Sequence, residues 1–182
     1  MLSITKIVVA GLLGAASLAA GNGDPLKIKP VQTMAGGDSK VNFPMVRMIQ
    51  TQTGWRELWA MHKGLPLTAA NTDKPAEDPI KPPTVDFAKN QVPVVFGGHM
   101  PNVQSYEYLK TYAKDQTAVM QLGQSLIPDS AVKDMLHPFI LLVVPKEPVA
   151  IEVQLDSLAK DGSHFWMTIA SYRAPKETKQ PS

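Results

Sequence analysis

The chain has 182 residues, 44% of them hydrophobic and 19% charged, with a formal net charge of +2 and no cysteine. Basic residues sit singly among acidic ones, which excludes the charge footprint of a nucleic-acid-binding protein. Disulfides are excluded as well, so stability must come from an apolar core.

Residues 1–20 read as a signal peptide. Lys6 supplies an early positive charge, an apolar run extends from Ile7 to Ala16, and Ser17, Ala19, Ala20 and Gly21 supply small side chains for cleavage after Ala19 or Gly21. The run is too short to span a bilayer, and no other stretch approaches the required length. The expectation is an exported protein, periplasmic or secreted, with no integral membrane span after signal cleavage. Lipid attachment would need a cysteine after the run. About 160 residues remain, enough for one domain with its own core.

Residues 21–44 are polar and glycine-dotted and read as an N-terminal arm. Residues 26–29 could pair as a short strand, and Gly36-Gly37-Asp38-Ser39 reads as a turn. A β-rich domain over 45–173 follows, its first strand within residues 43–51. Thr53 is a suitable N-cap for a helix at about 53–62. Trp55, Leu58, Trp59 and His62 recur there at helical spacing, and Gly64 supplies a stop. Five of the 16 prolines fall in residues 65–84, which therefore form a surface loop.

Beyond the loop the pattern is β. Residues 90–96 form a buried apolar run ending at Gly97-Gly98. Tyr106, Tyr108 and Tyr112 mark the next strand, and residues 114–116 turn into another at 117–122. Residues 139–144, closed by Pro145, then 149–153 and 164–170, complete six or seven strands, and 174–182 read as a disordered tail. The predicted class is α+β: a small antiparallel β-rich domain, sandwich or partly open barrel, with one main helix.

Chemistry-bearing patterns are sparse. His62, His99, His137 and His164 show no metal-ligand spacing, so neither a metal nor a cofactor is expected. His62 suits the end of the helix dipole, and His137-Pro138 opens a strand. A Gly-x-Ser-x-Gly elbow is absent, and Ser157-x-x-Lys160 stands without its partner motifs. Asp86, between Val85 and Phe87, reads as a carboxylate binding nearby backbone N–H groups. Trp55 and Trp59 read as core anchors.

Several landmarks together resemble a known family. These are Trp55-x-x-x-Trp59, then Pro82-Pro83-Thr84-Val85-Asp86-Phe87, then Val92-Pro93-Val94-Val95-Phe96-Gly97-Gly98, then Tyr106, and His137-Pro138-Phe139 running to Val144-Pro145-Lys146. Their order is similar to the C-terminal domain family of the protease-complex accessory subunit PrcB, over residues 46–153. The chain departs from that pattern where Gln104-Ser105 precedes Tyr106, since members usually carry Gly-Tyr there. The resemblance implies a non-catalytic role binding an extracytoplasmic protein, with a secreted protease as one candidate. The expected contact surface is Gly98, His99, Met100, Pro101, Asn102, Val103 and Tyr106, with the Pro-rich loop as a rim, and Trp55, Trp59, Asp86 and Phe87 have structural roles. Two alternatives stand beside this: a protease inhibitor acting through the 98–105 loop, and an exported hydrolase using Asp86 with a histidine.

Overall fold

The computed structural model describes residues 6–8, 28–66, 80–128, 135–159 and 161–173. Nine strands and one helix are assigned in chain order among them: β1 (Lys6–Val8), β2 (Gln32–Gly36), β3 (Pro44–Ile49), α1 (Gln52–Lys63), β4 (Asn90–Gly97), β5 (Val103–Lys114), β6 (Thr117–Leu126), β7 (Phe139–Pro145), β8 (Ala150–Leu158) and β9 (His164–Tyr172). One sheet has the order β1-β2-β7-β4-β3 and the other β5-β6-β8-β9.

Strands β4 and β7 form the middle of the molecule, and their alternation explains its layers. Val92, Val94, Phe96, Phe139, Leu141 and Val143 face one way and pack with Trp55, Leu58 and Trp59 of α1. Val95, Ile140, Leu142 and Val144 face the other way, against Ala118, Met120 and Leu122 of β6 and Ile151, Val153 and Leu155 of β8. A strand covered on both faces must be apolar on both, so these two segments read as unbroken hydrophobic runs. Helix, first sheet and second sheet thus stack as three layers with an apolar core in each interface. The α+β, β-rich expectation holds in its sandwich form, and the sheets do not close into a barrel. Among the named strands all pairings are antiparallel except β6 with β8, which run parallel from Thr117↔Ala150 to Leu122↔Leu155.

Helix α1 begins two residues earlier than Thr53 suggests. Thr51 is the N-cap: it has extended backbone, and its hydroxyl accepts from Gly54 N at 3.2 Å. The expected stop is in place, since Gly64 adopts φ 68° and its N–H reaches back to the last carbonyls of the helix. The Trp55 indole donates to the Pro83 carbonyl at 2.8 Å, and its ring lies 6.5 Å from that of Phe87. The Pro82–Phe87 stretch is thereby fastened to the buried side of the helix.

The expected arm differs from what is found. Its residues 32–36 form β2, inside the first sheet and paired with β7 from Gln32↔Val143 to Gly36↔Phe139. Gly36 therefore lies in a strand, and Asp38 makes a bridge with His137, where the sequence suggests a free turn. Residues 28–30 carry no strand. Three residues of the expected leader are described, as the backbone of β1 paired with β2 from Lys6↔Ala35 to Val8↔Thr33. The rest of residues 1–27, residues 67–79 of the Pro-rich loop and the tail at 174–182 lie outside the described residues. No helix among the described residues is long and apolar enough to cross a membrane.

Candidate functional site

The β4–β5 connection, expected to carry the partner contacts, divides into a buried frame and an exposed tip. Gly98, Val103 and Tyr106 are buried. Of the seven residues expected at a contact surface, these three face inward. Gly98 has φ +70° with the backbone of Phe43 and Pro44 2.9 Å from where a Cβ would stand. A Cβ on Gly97 would collide with the Tyr106 hydroxyl and come within 2.7 Å of the Met100 sulfur. The Tyr106 hydroxyl donates to that sulfur at 3.3 Å, and burial pushes the phenol pKa up to about 12. His99, Pro101 and Asn102 are exposed, and Met100 is half-buried.

Behind the tip lies the segment 135–138. Met100 N donates to Leu136 O at 3.0 Å, Gly97 N to Pro138 O at 2.8 Å, and His137 N to Gly37 O at 2.9 Å. This lattice brings together two histidines 38 positions apart: His137 Nε2 and His99 Nδ1 are 2.7 Å from each other. Their rings meet edge to face at 4.5 Å. The other ring nitrogen of His137 bonds the Ser39 carbonyl at 2.8 Å.

His62 has a different setting. It is almost wholly buried, ringed by Phe139, Trp59 and Phe96 at centroid distances of 4.4, 4.9 and 6.1 Å. Val41 N donates to Ser39 Oγ, and Ser39 Oγ lies 3.1 Å from His62 Nδ1. The hydroxyl can thus serve Nδ1 as well as Val41 N, while Nε2 has no hydrogen-bond partner. Burial, with help from Lys63 and against the pull of Asp38, lowers the His62 pKa from 6.5 to about 4. Both Ser39 and His62 are sealed inside the core, so the pair has no access to a substrate and supports packing instead of nucleophilic chemistry.

Asp86 behaves as an Asx-turn residue: its carboxylate accepts from Ala88 N at 3.0 Å and faces Lys89 at 3.8 Å, while its carbonyl takes the Asn90 side chain. No histidine is among these partners. His164 bonds the Asp156 carboxylate at 2.9 Å across β8 and β9, at the surface. A shallow cleft of about 350 Å³ lies between Gln50, Gln91, Lys146, Glu147 and Pro148, where Gln50 and Gln91 bond each other and the Lys146 ammonium caps the carbonyls of Gln50 and Phe87. Among the described residues no three His, Cys, Asp or Glu side chains gather as metal ligands.

One surface stands out for what it lacks. Strand β9 pairs only with β8 among the described strands, so its other edge is open. The open edges of β3 and β5 carry devices that discourage strand pairing: Pro44 and Arg47 in the first, and Glu107, Lys110, Lys114 and two register shifts in the second. Strand β9 reads His-Phe-Trp-Met-Thr-Ile-Ala-Ser-Tyr, with no Asp, Glu, Lys, Arg or Pro and a single register shift opposite Val153 and Gln154. Phe165, Trp166 and Met167 are 46, 42 and 43% exposed. Trp166 lies opposite Asp156, and Phe165 and Met167 lie opposite Ser157 and Leu155, so apolar side chains project from both faces of this edge. The sequence identifies 164–170 as apolar, but does not say that its edge is left unpaired.

Compared with family models, with curated proteins and with solved structures, the chain has no match in any of the three.

Proposed function

We propose that this is an exported, non-catalytic binding domain that takes up an extended segment of another extracytoplasmic protein along β9. The observation that carries this reading is the unguarded edge: free backbone N–H and C=O groups beside Phe165, Trp166 and Met167, in a molecule whose β3 and β5 edges bear charge or proline. Strand addition supplies main-chain hydrogen bonds, and apolar side chains on alternating faces supply selectivity. The occupant that fits is a β-prone segment of low charge with large apolar side chains on both faces. The resemblance to the PrcB accessory family supports a secreted protease as one such partner.

Export rests on the leader in residues 1–20. Its removal would also take away β1 and uncover the outer side of β2 at Thr33–Ala35. The intact mass of the protein recovered from the envelope fraction reads this directly: processing after Ala19 or Gly21 supports export, and a full-length chain overturns it.

The β9 assignment is tested by placing a photo-crosslinking residue at Trp166, and as a control at Glu107 on the β5 edge, in the producing cell. A discrete adduct with another protein at 166 and none at 107 is expected. Equal labelling at both sites, no adduct at 166, or an adduct with a second copy of this chain overturns the reading.

A further inference from the structure

We propose that His99, His137 and Met135 form a binding site for monovalent copper where the β4–β5 loop meets residues 135–138. The site does not depend on the β9 reading.

The two imidazoles are prepared for a metal in three respects. First, their nitrogens already face each other, His137 Nε2 to His99 Nδ1 at 2.7 Å. Second, the Ser39 carbonyl can only accept, so His137 Nδ1 carries a proton and the lone pair of the neutral ring is on Nε2, toward His99. A backbone carbonyl on the remote nitrogen is how ligating histidines are held in tautomer and orientation. Third, both residues sit on pinned backbone, through the bridges Met100↔Leu136 and Asp38↔His137. Admitting a metal requires the nitrogens to part to about 3.3 Å, as for two bonds of about 2.0 Å at a tetrahedral angle. The contact makes His99 Nδ1 the donor to His137 Nε2, so rotation of the exposed His99 side chain, with its ring proton moved to the other nitrogen, provides the second ligand.

The third ligand follows from register. Met100 opposite Leu136 in an antiparallel bridge sets His99 opposite His137, with Met135 two positions before His137 on the same segment. Side-chain alternation puts Met135 on the His137 face and Met100 on the other, where its sulfur takes the Tyr106 hydroxyl. Met135 is 57% exposed, so core packing does not account for it. Two imidazoles with a thioether suit Cu(I), which accepts soft ligands, and among the described residues no third His, Cys, Asp or Glu joins the pair to favour a harder divalent ion.

The test is an anaerobic titration of the purified protein with Cu(I), against a chromophoric Cu(I) chelator. One ion per chain is expected. His99→Ala should weaken binding at least tenfold, and since this exposed side chain loses only its bond to His137, the fold should survive, as circular dichroism will report. Met135→Leu should weaken Cu(I) several-fold and remove the copper–sulfur distance from X-ray absorption, whereas Met100→Leu should leave that distance intact. Wild-type affinity in His99→Ala overturns the site. Unchanged Cu(I) affinity in Met135→Leu, or tighter 1:1 binding of Zn(II) than of Cu(I), overturns its assignment to monovalent copper.

Discussion

Acidification should unfold this protein largely through His62. The folded state holds the ring neutral, with its pKa lowered to about 4, while the unfolded chain binds a proton at 6.5. The full stabilising contribution is therefore present above about pH 6.5. It declines as the pH falls through the interval between the two values and is lost below about 4, because only the unfolded state gains the proton on the way down. That gap, at about 1.4 kcal/mol per pH unit, amounts to about 3.5 kcal/mol, of which about 3 kcal/mol is lost by pH 4, where the folded ring is half protonated. Against a typical domain stability of roughly 5–15 kcal/mol this is a large fraction. The assay is urea denaturation at pH 7 and pH 4 for the wild type and for His62→Gln, which cannot titrate yet can still accept the Ser39 hydroxyl. Carboxylates contribute equally to both proteins, so the difference of differences isolates the imidazole. The expected outcome is a wild type that loses about 3 kcal/mol more than the variant between the two pH values. Parallel losses within about 0.5 kcal/mol would show that water reaches the ring and refute the reasoning.

Three further outcomes follow from local geometry. Gly97→Ala should cost about 1–3 kcal/mol in a urea melt, since its methyl meets the Tyr106 hydroxyl, the Met100 sulfur and Pro138. Gln116→Gly should raise stability by about 0.5–1 kcal/mol, because Asp115 and Gln116 turn the β5–β6 hairpin at φ 46° and 60°, where Asp-Gly is preferred; a lower melting temperature would contradict it. Thr51→Ala should cost about 1 kcal/mol by leaving Gly54 N without its cap, and Thr53→Ala should cost much less, a comparison that thermal melts of both resolve.

What could be seen in the sequence was local. The runs of β4 and β7, the Gly64 stop, the Asp86 turn and the Trp55–Trp59 stripe each declare themselves through patterns shorter than one element. Strand β2 did not, because Met34 is its one fully buried side chain and its pairing is supplied by β7, more than 100 positions away. The sequence does not separate Thr53 from Thr51 as N-cap because both offer the same hydroxyl, and only the backbone at Thr51 leaves the helix. The histidine pair was invisible for a similar reason: one bridge between Met100 and Leu136 aligns His99 with His137, and spacing along the chain carries no trace of it. Val103 reads as part of a loop and Tyr106 as the strand after it, yet β5 begins at Val103 and turns both inward.

The parallel pairing of β6 with β8 has a kinetic meaning. Between them the chain leaves for the opposite layer, lays down β7 in its sheet, and returns. Neither layer can be completed while the other is missing, so the two are laced by one thread. Such a polypeptide should melt in a single step and refold slowly, since distant stretches must find each other before any layer gains from closure.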